Sequence, residues 1–595
     1  MHRTTGVLGR LVAGDACLRA HAAVLSAFVS LAWLVGWSFC RGREAGGIDP
    51  LFPSAPVCVA AFVGMWAVLS VCVLALFRLM DKVGNPVGGV LARHPFAIPL
   101  AAIVLCWLPY WLAFFPGSLP WDGVRSMNQF TTAAPLENHH PVMMNALYAA
   151  LMTLGRSVWS DNFGLLLIVA FQYAVCAVAF ALAVRKLVVW RVPRWVVWAA
   201  LLFFCLCPMW GAFAQAAFKD TLFNGLFCLF VLSLVDVAGR GRGDGRTPRA
   251  RSWVLLGLAS LVLCFARNNG FYIAVASVVA VAVLAAVRGH AAPAGGAVRS
   301  GNRAGGSAAR AAAPALAVLC VVAVAWLGAT RVVWPALGID VREDKEMLSV
   351  PLQQTARYMV ECPDEVTAEQ YAAIDAILPA GQLATLYNPD LSDPVKEAMR
   401  PAKGNMTPEQ RAAYFTAWAQ MGAAHPGVYV RATVANTYAY FYPFAIIGQD
   451  MDRPVFPLYI QGLPINQTFA VHYVSPEEVR EAAGDALVDM LSVPVVRVMF
   501  SPATYVLAFL AVGAYASARR RWRALVVAVP FAVLLVTVLL GPLNGHLRYI
   551  MPLAAALPLL AGMVVCPGNS EIDRGNERSA PAQAAGASLT EEVSL

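Results

Sequence analysis

A series of long apolar runs sets the strongest constraint on the fold of this chain. A helix needs about 20 apolar residues to cross a bilayer. The runs that qualify cover residues 21–39, 55–77, 96–114, 163–184, 195–212, 220–237, 252–266, 270–287, 313–335, 496–517, 523–541 and 547–566. Hydrophobic residues make up 59% of the chain and charged residues only 13%, as is typical of a membrane protein. We therefore predict an all-α polytopic membrane protein with about 11 to 13 transmembrane helices. The range allows for 142–155, which is apolar but short.

Lysine and arginine residues cluster in short loops between these runs. The net charge of +9 is therefore attributed to membrane topology and not to nucleic-acid binding. The clusters are Arg3, Arg10 and Arg19; Arg78, Lys82 and Arg93; Arg185, Lys186, Arg191 and Arg194; and the segments 239–251, 288–312 and 519–523. All of them fall on one side, the cytoplasmic side, if 142–155 does not cross. We expect a multi-pass protein of the cell membrane with cytoplasmic N- and C-termini.

The runs and the segments between them divide the chain into five regions. These are an N-terminal cytoplasmic tail with two transmembrane helices (1–94), a transmembrane module with an external loop at 115–141 (95–337), a mostly helical extracytoplasmic domain (338–494), C-terminal transmembrane helices (495–566) and a disordered cytoplasmic tail (567–595). The loop 288–312, rich in Gly, Ala, Arg and Ser, is also predicted to be disordered. In the domain, Pro408 and Pro476 precede acidic residues and indicate helix starts.

Several chemistries are disfavoured by the sequence. No Walker loop, GxGxxG, HExxH, GxSxG or paired CxxC motif occurs, so nucleotide hydrolysis and soluble-type hydrolase chemistry are poor first hypotheses. Most of the thirteen cysteines lie inside apolar runs and are interpreted as small core residues. Cys362 is the exception, because it lies in an extramembrane region.

The external loop 115–141 holds the strongest single candidate residue, Asp122. Prolines end the preceding helix, and residues 121–130 have the pattern of a short interfacial helix. Its polar, water-facing side comprises Asp122, Arg125, Ser126 and Gln129. Beside the bulky Trp121, the Asp122 carboxylate is a candidate general base with a raised pKa, or a metal ligand. A solvated surface acid is the structural alternative.

Further polar residues stand near the ends of apolar runs, where charges are costly unless paired or functional. Lys219 and Asp220 separate two runs, and Asp220 also suits a helix N-cap. The sequence Arg267-Asn268-Asn269-Gly270 is either a phosphate site or a tight turn in which Gly270 has a positive φ. The last run opens with His546, Arg548 and Tyr549, which suit a ligand contact or an interfacial anchor. Glu137, His139 and His140 are candidate metal or phosphate contacts, or a helix start before Pro141.

Together these residues resemble the GT-C class of membrane glycosyltransferases, which includes the protein O-mannosyltransferases, the aminoarabinose transferase and the oligosaccharyltransferase catalytic subunit. In that class an acid lies on a juxtamembrane helix in the first large external loop, and Asp122 matches it. The sequence His140-Pro141 matches a His-Pro that opens the following helix, and Asp220 matches a second acid at a later span. The sequence Arg548-Tyr549 with Pro552 is similar to an opening of a late helix in such proteins.

The closer resemblance is to an uncharacterised bacterial family of multi-span proteins of that class. The stretches that carry it are FPGSLPWDG, NHHP, FKDTLF, ARNNG, EMLSVPLQQTAR, YNPDLSDPVK and HLRYIMP, within residues 95–566. The external loop departs from some class members because it lacks an Asp-x-Asp or Asp-Glu pair.

The resemblance implies a glycosyltransferase that moves a sugar from a polyprenyl-phosphate donor, reached from the lipid bilayer, to an envelope glycan, lipid or protein. It implies Asp122 and Asp220 as catalytic residues. The implied substrate-binding residues are Lys219, Arg267, Asn268, Arg548, Tyr549, His139, His140, Gln353 and Gln354. Asp122, Glu137 and Asp220 are possible ligands of a divalent metal ion, Mg or Mn, and the metal dependence is left open. The aromatic residues Tyr438, Tyr440, Phe441 and Tyr442 suit either sugar contacts or the domain core. The alternatives are a transporter or flippase of lipid-linked glycans, and a non-catalytic envelope scaffold.

Overall fold

The computed structural model describes residues 15–565 apart from 83, 133–135, 139, 240–247, 292–300, 340–343, 401–404, 446–455, 463–465, 467 and 542. These residues form helices with isolated β-bridges between loops and no strand, which confirms the predicted all-α class. The α-helices are α1 (Ala16–Glu44), α2 (Ala55–Asp81), α3 (Gly89–Arg93), α4 (Ala97–Ala113), α5 (Trp121–Thr131), α6 (Val142–Val158), α7 (Asp161–Val189), α8 (Arg194–Leu206), α9 (Pro208–Ala214), α10 (Lys219–Ala238), α11 (Ala250–Ala266), α12 (Gly270–Ala291), α13 (Gly301–Gly328), α14 (Trp334–Ala336), α15 (Ser349–Glu361), α16 (Ala368–Asp375), α17 (Leu383–Leu386), α18 (Asp393–Glu397), α19 (Pro408–Ala424), α20 (Pro426–Ala435), α21 (Glu477–Ser492), α22 (Pro494–Met499), α23 (Pro502–Ala518), α24 (Trp522–Leu539) and α25 (Leu547–Val565).

Within the described residues, eight helices are long and apolar enough to cross a membrane. They are α1, α2, α7, α10, α12, the continuous segment Ala308–Ala336, α24 and α25. The pair α8 and α9, bent by 45°, forms a ninth candidate, and α4, α11 and α23 are shorter apolar helices. Each predicted run thus coincides with an apolar helix or helix pair. The chain is a polytopic helical membrane protein.

The short segment at 142–155 forms α6, which is not among the membrane-spanning candidates. It has 17 residues, as have α4, α11 and α23, but unlike those three it is not among the shorter apolar helices. It also carries Asn145 and Arg156. These features favour a helix that does not cross.

Helix α1 connects the two ends of the bundle. At its start Asp15 pairs with Arg519 at 2.7 Å, and near its end Arg43 pairs with Asp390 of the 338–494 domain at 3.0 Å. The end of the bundle at Asp15, called the first end, therefore holds the predicted basic loop 519–523. The opposite end, at Arg43, holds the predicted external domain.

Other basic loops meet at the first end. The backbone N–H of Arg194 donates to the carbonyl of Asn85 at 2.8 Å, and the Arg288 side chain donates to the carbonyl of Ala238 at 2.8 Å. The loops that the charge pattern assigns to one side are thus neighbours in space. That this side is cytoplasmic stays a prediction from the charge pattern.

The domain formed by residues 338–494 has its own apolar core around α15. Its helix starts follow the predicted signals. Pro408 is the first residue of α19, where Thr407 and Gln410 form a reciprocal capping box, and α21 begins directly after Pro476. The buried Arg357 of α15 pairs with Glu361 and with Asp49 outside the domain, which ties the domain to the chain after α1.

The predicted disorder of 288–312 is wrong for part of that segment. Helix α12 continues to Ala291 and α13 begins at Gly301. The alanine-rich sequence from 308 to 315 explains the helical structure of residues 308–312, because alanine has the highest helix propensity. Residues 292–300 and the predicted tails 1–14 and 567–595 lie outside the described residues.

Helix α5 packs directly on the backbone that leads into α10. The carbonyl of Ser118 accepts a hydrogen bond from the N–H of Ala217 at 2.8 Å. A Cβ atom on Gly123 would lie 2.5 Å from the Ala217 carbonyl oxygen. The absence of a side chain at Gly123 therefore lets α5 bring its neighbour Asp122 beside the start of α10.

We expect Gly123→Ala to lower the apparent melting temperature of the purified protein. Overpacking costs about 1–3 kcal/mol, which exceeds the gain of about 0.5–1 kcal/mol from replacing a helical glycine. Gly513→Ala in α23 is the matched control, because its Cβ would meet nothing within 4 Å. A Gly123→Ala protein that melts at or above the wild-type temperature would contradict this packing.

Candidate functional site

A cavity of about 1270 Å³ lies where the helix bundle meets the 338–494 domain. The bundle contributes mainly polar and aromatic residues: Trp121, Asp122, Arg125, His140, Phe218, Lys219, Asp220, Arg267, Asn268, Asn269, His546, Arg548 and Tyr549. The domain contributes Lys345, Met347, Asp393, Lys396, Glu397, Pro457, Tyr459 and Gln461. Residues from widely separated parts of the sequence thus share one cavity.

Four of these residues form a chain of alternating charges. A guanidinium nitrogen of Arg548 lies 2.7 Å from the Asp122 carboxylate and 3.9 Å from the Asp220 carboxylate. The other Asp220 oxygen lies 3.2 Å from Arg267. The Asp220 side chain is only 2% exposed, and the two arginines offset the cost of burying its carboxylate. Four separate elements supply the network, namely α5, α25, α10 and the turn between α11 and α12.

Aromatic rings hold the two arginines in place. The Tyr549 ring lies 5.2 Å from the Arg267 guanidinium and 5.1 Å from that of Arg548. Phe218 is a second ring beside Arg548, at 5.0 Å. Cation–π contacts of this kind orient a guanidinium, and Arg548 also donates to the Tyr549 hydroxyl at 3.4 Å. Tyr549, which the resemblance assigns to substrate binding, thus supports the two arginines from within the cavity wall.

The electrostatics of Asp122 correct two expectations from the sequence. Its side chain is only 14% exposed, and Ser126 and Gln129 are buried. Of the predicted water-facing side of α5, only Arg125 is exposed. Burial acts to raise the pKa of Asp122, but the charges of Arg548 and Lys219 outweigh it and lower the pKa below its ordinary value. The prediction of a raised pKa is therefore wrong, because the partners of Asp122 come from distant helices.

Asp220 is not the N-cap of α10. The helix begins at Lys219, Phe218 is the residue before it, and Asp220 belongs to the first turn. Its carboxylate pairs with Arg267, as described above. The Lys219 ammonium contacts Nδ1 of the buried His140, which leads into α6. The sequence His140-Pro141 therefore both starts a helix and contributes an imidazole to the cavity.

The turn 267–270 is tight for a different reason than predicted. Gly270 does not have a positive φ; a side chain there would collide with the carbonyl of Leu263. Asn268 donates to the carbonyl of Asn138 at 2.9 Å, and Asn269 donates to the Thr537 hydroxyl at 3.0 Å. The turn thus joins the loop 115–141 to the end of α24 and fixes Arg267 between them.

The candidate metal ligands Asp122, Glu137 and Asp220 do not gather as a three-ligand cluster in the described chain. Glu137 pairs with Arg125 at 3.7 Å, and Asp122 and Asp220 share Arg548. The cation between the two aspartates is therefore a guanidinium, and this arrangement does not fit a metal on these three residues. His139 lies outside the described residues.

Gln353 and Gln354 do not line the cavity. The Gln353 amide donates to the carbonyl of Asn388 at 2.7 Å, and the Gln354 amide donates to Thr433 at 3.0 Å. Both amide NH2 groups thus bond to partners inside the domain, although the buried Oε1 of Gln353 has no hydrogen-bond partner among the described residues. The placement away from the cavity does not favour the predicted sugar contacts. The aromatic residues Tyr438, Tyr440 and Tyr442 are likewise buried and Phe441 is partly buried. They pack in the bundle core and in a cluster with Phe39 of α1, and not in the domain's own core around α15.

Sequence reasoning assigned no role to the domain residues that line the cavity. Lys396 is buried and pairs with Asp393 at 3.1 Å. Both lie in the stretch YNPDLSDPVK, which the resemblance includes without a function. Tyr459 and Gln461 reach the cavity because their backbone groups bond to those of Leu119, at 3.1 and 2.8 Å. No periodicity or motif indicates this long-range pairing.

The fold and the cavity define a polytopic helical membrane protein with a charged site at one end of its bundle. Residues 129–578 match DUF6020, a family of unknown function, and the chain belongs to that family. Asp220, Arg267 and Arg548 lie within the matched region, and Asp122 precedes it. No curated protein and no solved structure matches the chain.

We expect strong energetic coupling between Asp122 and Arg548 in a double-mutant cycle of Asp122→Asn and Arg548→Gln. Either single change leaves a charge poorly paired in the cavity, so the double variant should lose less stability than the sum. A coupling of about 1–3 kcal/mol is expected for a pair in a shared network. The exposed pair Arg41–Glu44, 58% and 64% exposed, is the control and should give about 0.5 kcal/mol or less. Equal couplings measured by denaturation of the two pairs would contradict this.

The same coupling should persist when the pH is lowered from about 7 to about 5. A carboxylate with a lowered pKa contributes stability that is present above its unfolded pKa, about 3.9, and lost as the pH falls through the folded value. Since the pKa of Asp122 is lowered, the coupling energy should be lost only below about pH 5. Repeating the cycle at both pH values tests this, and a coupling that vanishes near pH 5 would show that Asp122 is not held ionised.

Proposed function

We propose that the protein is a membrane glycosyltransferase that moves a sugar from a polyprenyl-phosphate donor to an envelope glycan, lipid or protein on the extracytoplasmic side. The single observation that carries this proposal is the convergence of Asp122 with Lys219, Arg267 and Arg548 in one cavity at a bundle end. An acid beside a group of cations is what transfer from a phosphate leaving group to a hydroxyl requires.

The charge balance of the bundle wall favours an anionic ligand. The wall carries four cations, Arg125, Lys219, Arg267 and Arg548, and two carboxylates, Asp122 and Asp220. Arg125 pairs with Glu137 outside the lining, so the remaining groups leave an excess of one positive charge, which a phosphate group would neutralise. The two guanidiniums are already oriented by Tyr549, so little reorganisation would be needed when charge builds on the leaving phosphate.

The apolar part of the cavity suits the lipid portion of such a donor. Tyr272, Met347 and Leu540 line the cavity and are each more than half exposed. Tyr272 lies near the start of α12, and Leu540 directly follows α24, so an apolar edge adjoins the phosphate-binding arginines. A ligand with a polar head and a hydrocarbon chain fits this distribution.

In the proposed reaction, Asp122 accepts the proton of the acceptor hydroxyl while that oxygen attacks the anomeric carbon. The carbon–oxygen bond to phosphate breaks, its electron pair goes to the phosphate oxygen, and the anomeric configuration is inverted. Arg548 pairs with Asp122 in the resting site at 2.7 Å. A bound phosphate would compete for this guanidinium, and the weakened pair would raise the pKa of Asp122 towards that of a better base.

The main competing function is transport of a lipid-linked glycan. Transporters typically place ionisable residues near the middle of interrupted helices. Here Lys219 and Asp220 lie in the first turn of α10, Arg548 is the second residue of α25, and Arg267 follows the end of α11. Charges at helix ends next to a large helical domain favour an enzyme. The assay of sugar transfer described next therefore varies both the sugar of the donor and the acceptor.

We expect Asp122→Asn to reduce sugar transfer by about 100-fold or more, because it removes the general base, while binding of polyprenyl phosphate is retained. Arg548→Gln should weaken that binding by about tenfold or more, as for a lost charge-assisted contact. The full-length protein in lipid nanodiscs would be given a panel of polyprenyl-phosphate sugars with envelope acceptors, and released polyprenyl phosphate would be measured. Binding would be followed by the thermal shift with polyprenyl phosphate alone.

Asp375→Asn is a suitable control, because Asp375 also pairs with an arginine, Arg400, but lies outside the cavity. It should leave binding and transfer unchanged. A folded Asp122→Asn protein with wild-type transfer would refute the base assignment. If the wild-type protein moves a labelled donor across the proteoliposome membrane without cleaving it, the result would instead support a transport function.

A further inference from the structure

Three side chains of different chemistry converge in the 338–494 domain, away from the cavity. The ligand atoms of Cys362, Glu365 and His425 all lie within 4.8 Å of one another. No other group of three His, Cys, Asp or Glu residues in the described chain meets this condition. None of the three lines the cavity described above.

Local structure brings them together from two parts of the domain. Cys362 is the C-cap of α15, and its N–H donates to the carbonyl of Tyr358 at 2.8 Å. Glu365 is the last residue of the following short 3-10 turn. His425 stands at the joint between α19 and α20, directly before Pro426. Its Nε2 contacts the Glu365 carboxylate, and its ring packs against the Tyr358 ring with centroids 5.7 Å apart. The imidazole is therefore held towards the other two groups.

We propose that Cys362, Glu365 and His425 form a binding site for Zn²⁺. A thiolate, an imidazole and a carboxylate are the ligand types that zinc prefers, and three protein ligands leave a fourth position for water. Cys362 is the only cysteine between residues 338 and 494 and is not in a disulfide, so its thiol is available. Glu361 lies close by, but its carboxylate is engaged by Arg357 and Arg431 and is not counted as a ligand.

A metal at this site would brace the helix that leads to the cavity. The cavity-lining residues Lys345 and Met347 lie just before α15, and Cys362 lies just after it. The 13 residues of α15 cover about 20 Å. Zinc would add a third link between the far end of α15 and the joint between α19 and α20, beside the Glu361–Arg431 ion pair and the partly exposed contact between Glu365 and His425. The site would thus stabilise the domain without taking part in chemistry at the cavity.

The test uses the purified full-length protein after treatment with a chelator that is then removed. Zn²⁺ is titrated against a chromogenic competitor, and Co²⁺ is added to a second sample to detect thiolate-to-metal charge-transfer absorption. We expect one Zn²⁺ per chain and a higher melting temperature with zinc. Cys362→Ser and His425→Gln should each lower the affinity by at least about tenfold, and Cys362→Ser should abolish the charge-transfer band.

Matched controls separate the site from adventitious binding. Cys40→Ser removes a half-buried thiol that hydrogen-bonds Tyr438, and His472→Gln removes an exposed imidazole beside Asn162; both should bind zinc like the wild type. Glu365→Gln changes an exposed side chain, so its loss of affinity is not attributable to misfolding. Zinc affinity that is unchanged in Cys362→Ser and Glu365→Gln, or is lowered equally in Cys40→Ser, would overturn the proposal.

Discussion

The position of Arg548 depends on buried charge pairing. Charges near the ends of membrane helices are costly unless they have partners, and Arg548 pairs with two carboxylates at 2.7 and 3.9 Å. Because Asp122, Asp220 and Arg267 come from different elements, none of them has an equivalent partner on its own helix. The pairing therefore favours the arrangement in which α5, α10 and α25 meet, and the cavity is a consequence of that meeting.

The 338–494 domain takes part in this arrangement by holding the loop before α25. Asn544 donates to the Asp390 carboxylate and to the carbonyl of Ala435, each at 2.9 Å, and Tyr440 donates to the carbonyl of Leu543 at 2.9 Å. Asp390 also pairs with Arg43 at the end of α1. A displacement of the domain would therefore move the loop that leads into Arg548. The domain supplies both a wall of the cavity and the anchor of its central cation.

The sequence predicted what depends on local composition, namely the apolar helices, the helix starts at Pro408 and after Pro476, and polar groups at helix ends. It predicted less well what depends on partners distant in sequence. Asp220 is a residue type that often caps the N-terminus of a helix, but its carboxylate forms an ion pair with Arg267 instead. The pKa of Asp122 follows from Arg548, more than 400 positions away. The two glutamines of α15 are residue types that suit sugar contacts, yet their amide NH2 groups donate to neighbours inside the domain.

The same pairing that organises the bundle also limits what Asp122 can do unaided. A carboxylate held by an arginine is ionised but weakly basic, so the resting site is poorly suited to proton abstraction. An anion that binds Arg548 would relieve this restriction, because the guanidinium would then be shared between the phosphate and the aspartate. In the proposed reaction the donor therefore has to arrive before Asp122 becomes an effective base. This order would restrain the site from activating water or an acceptor hydroxyl when no sugar is in place to receive it.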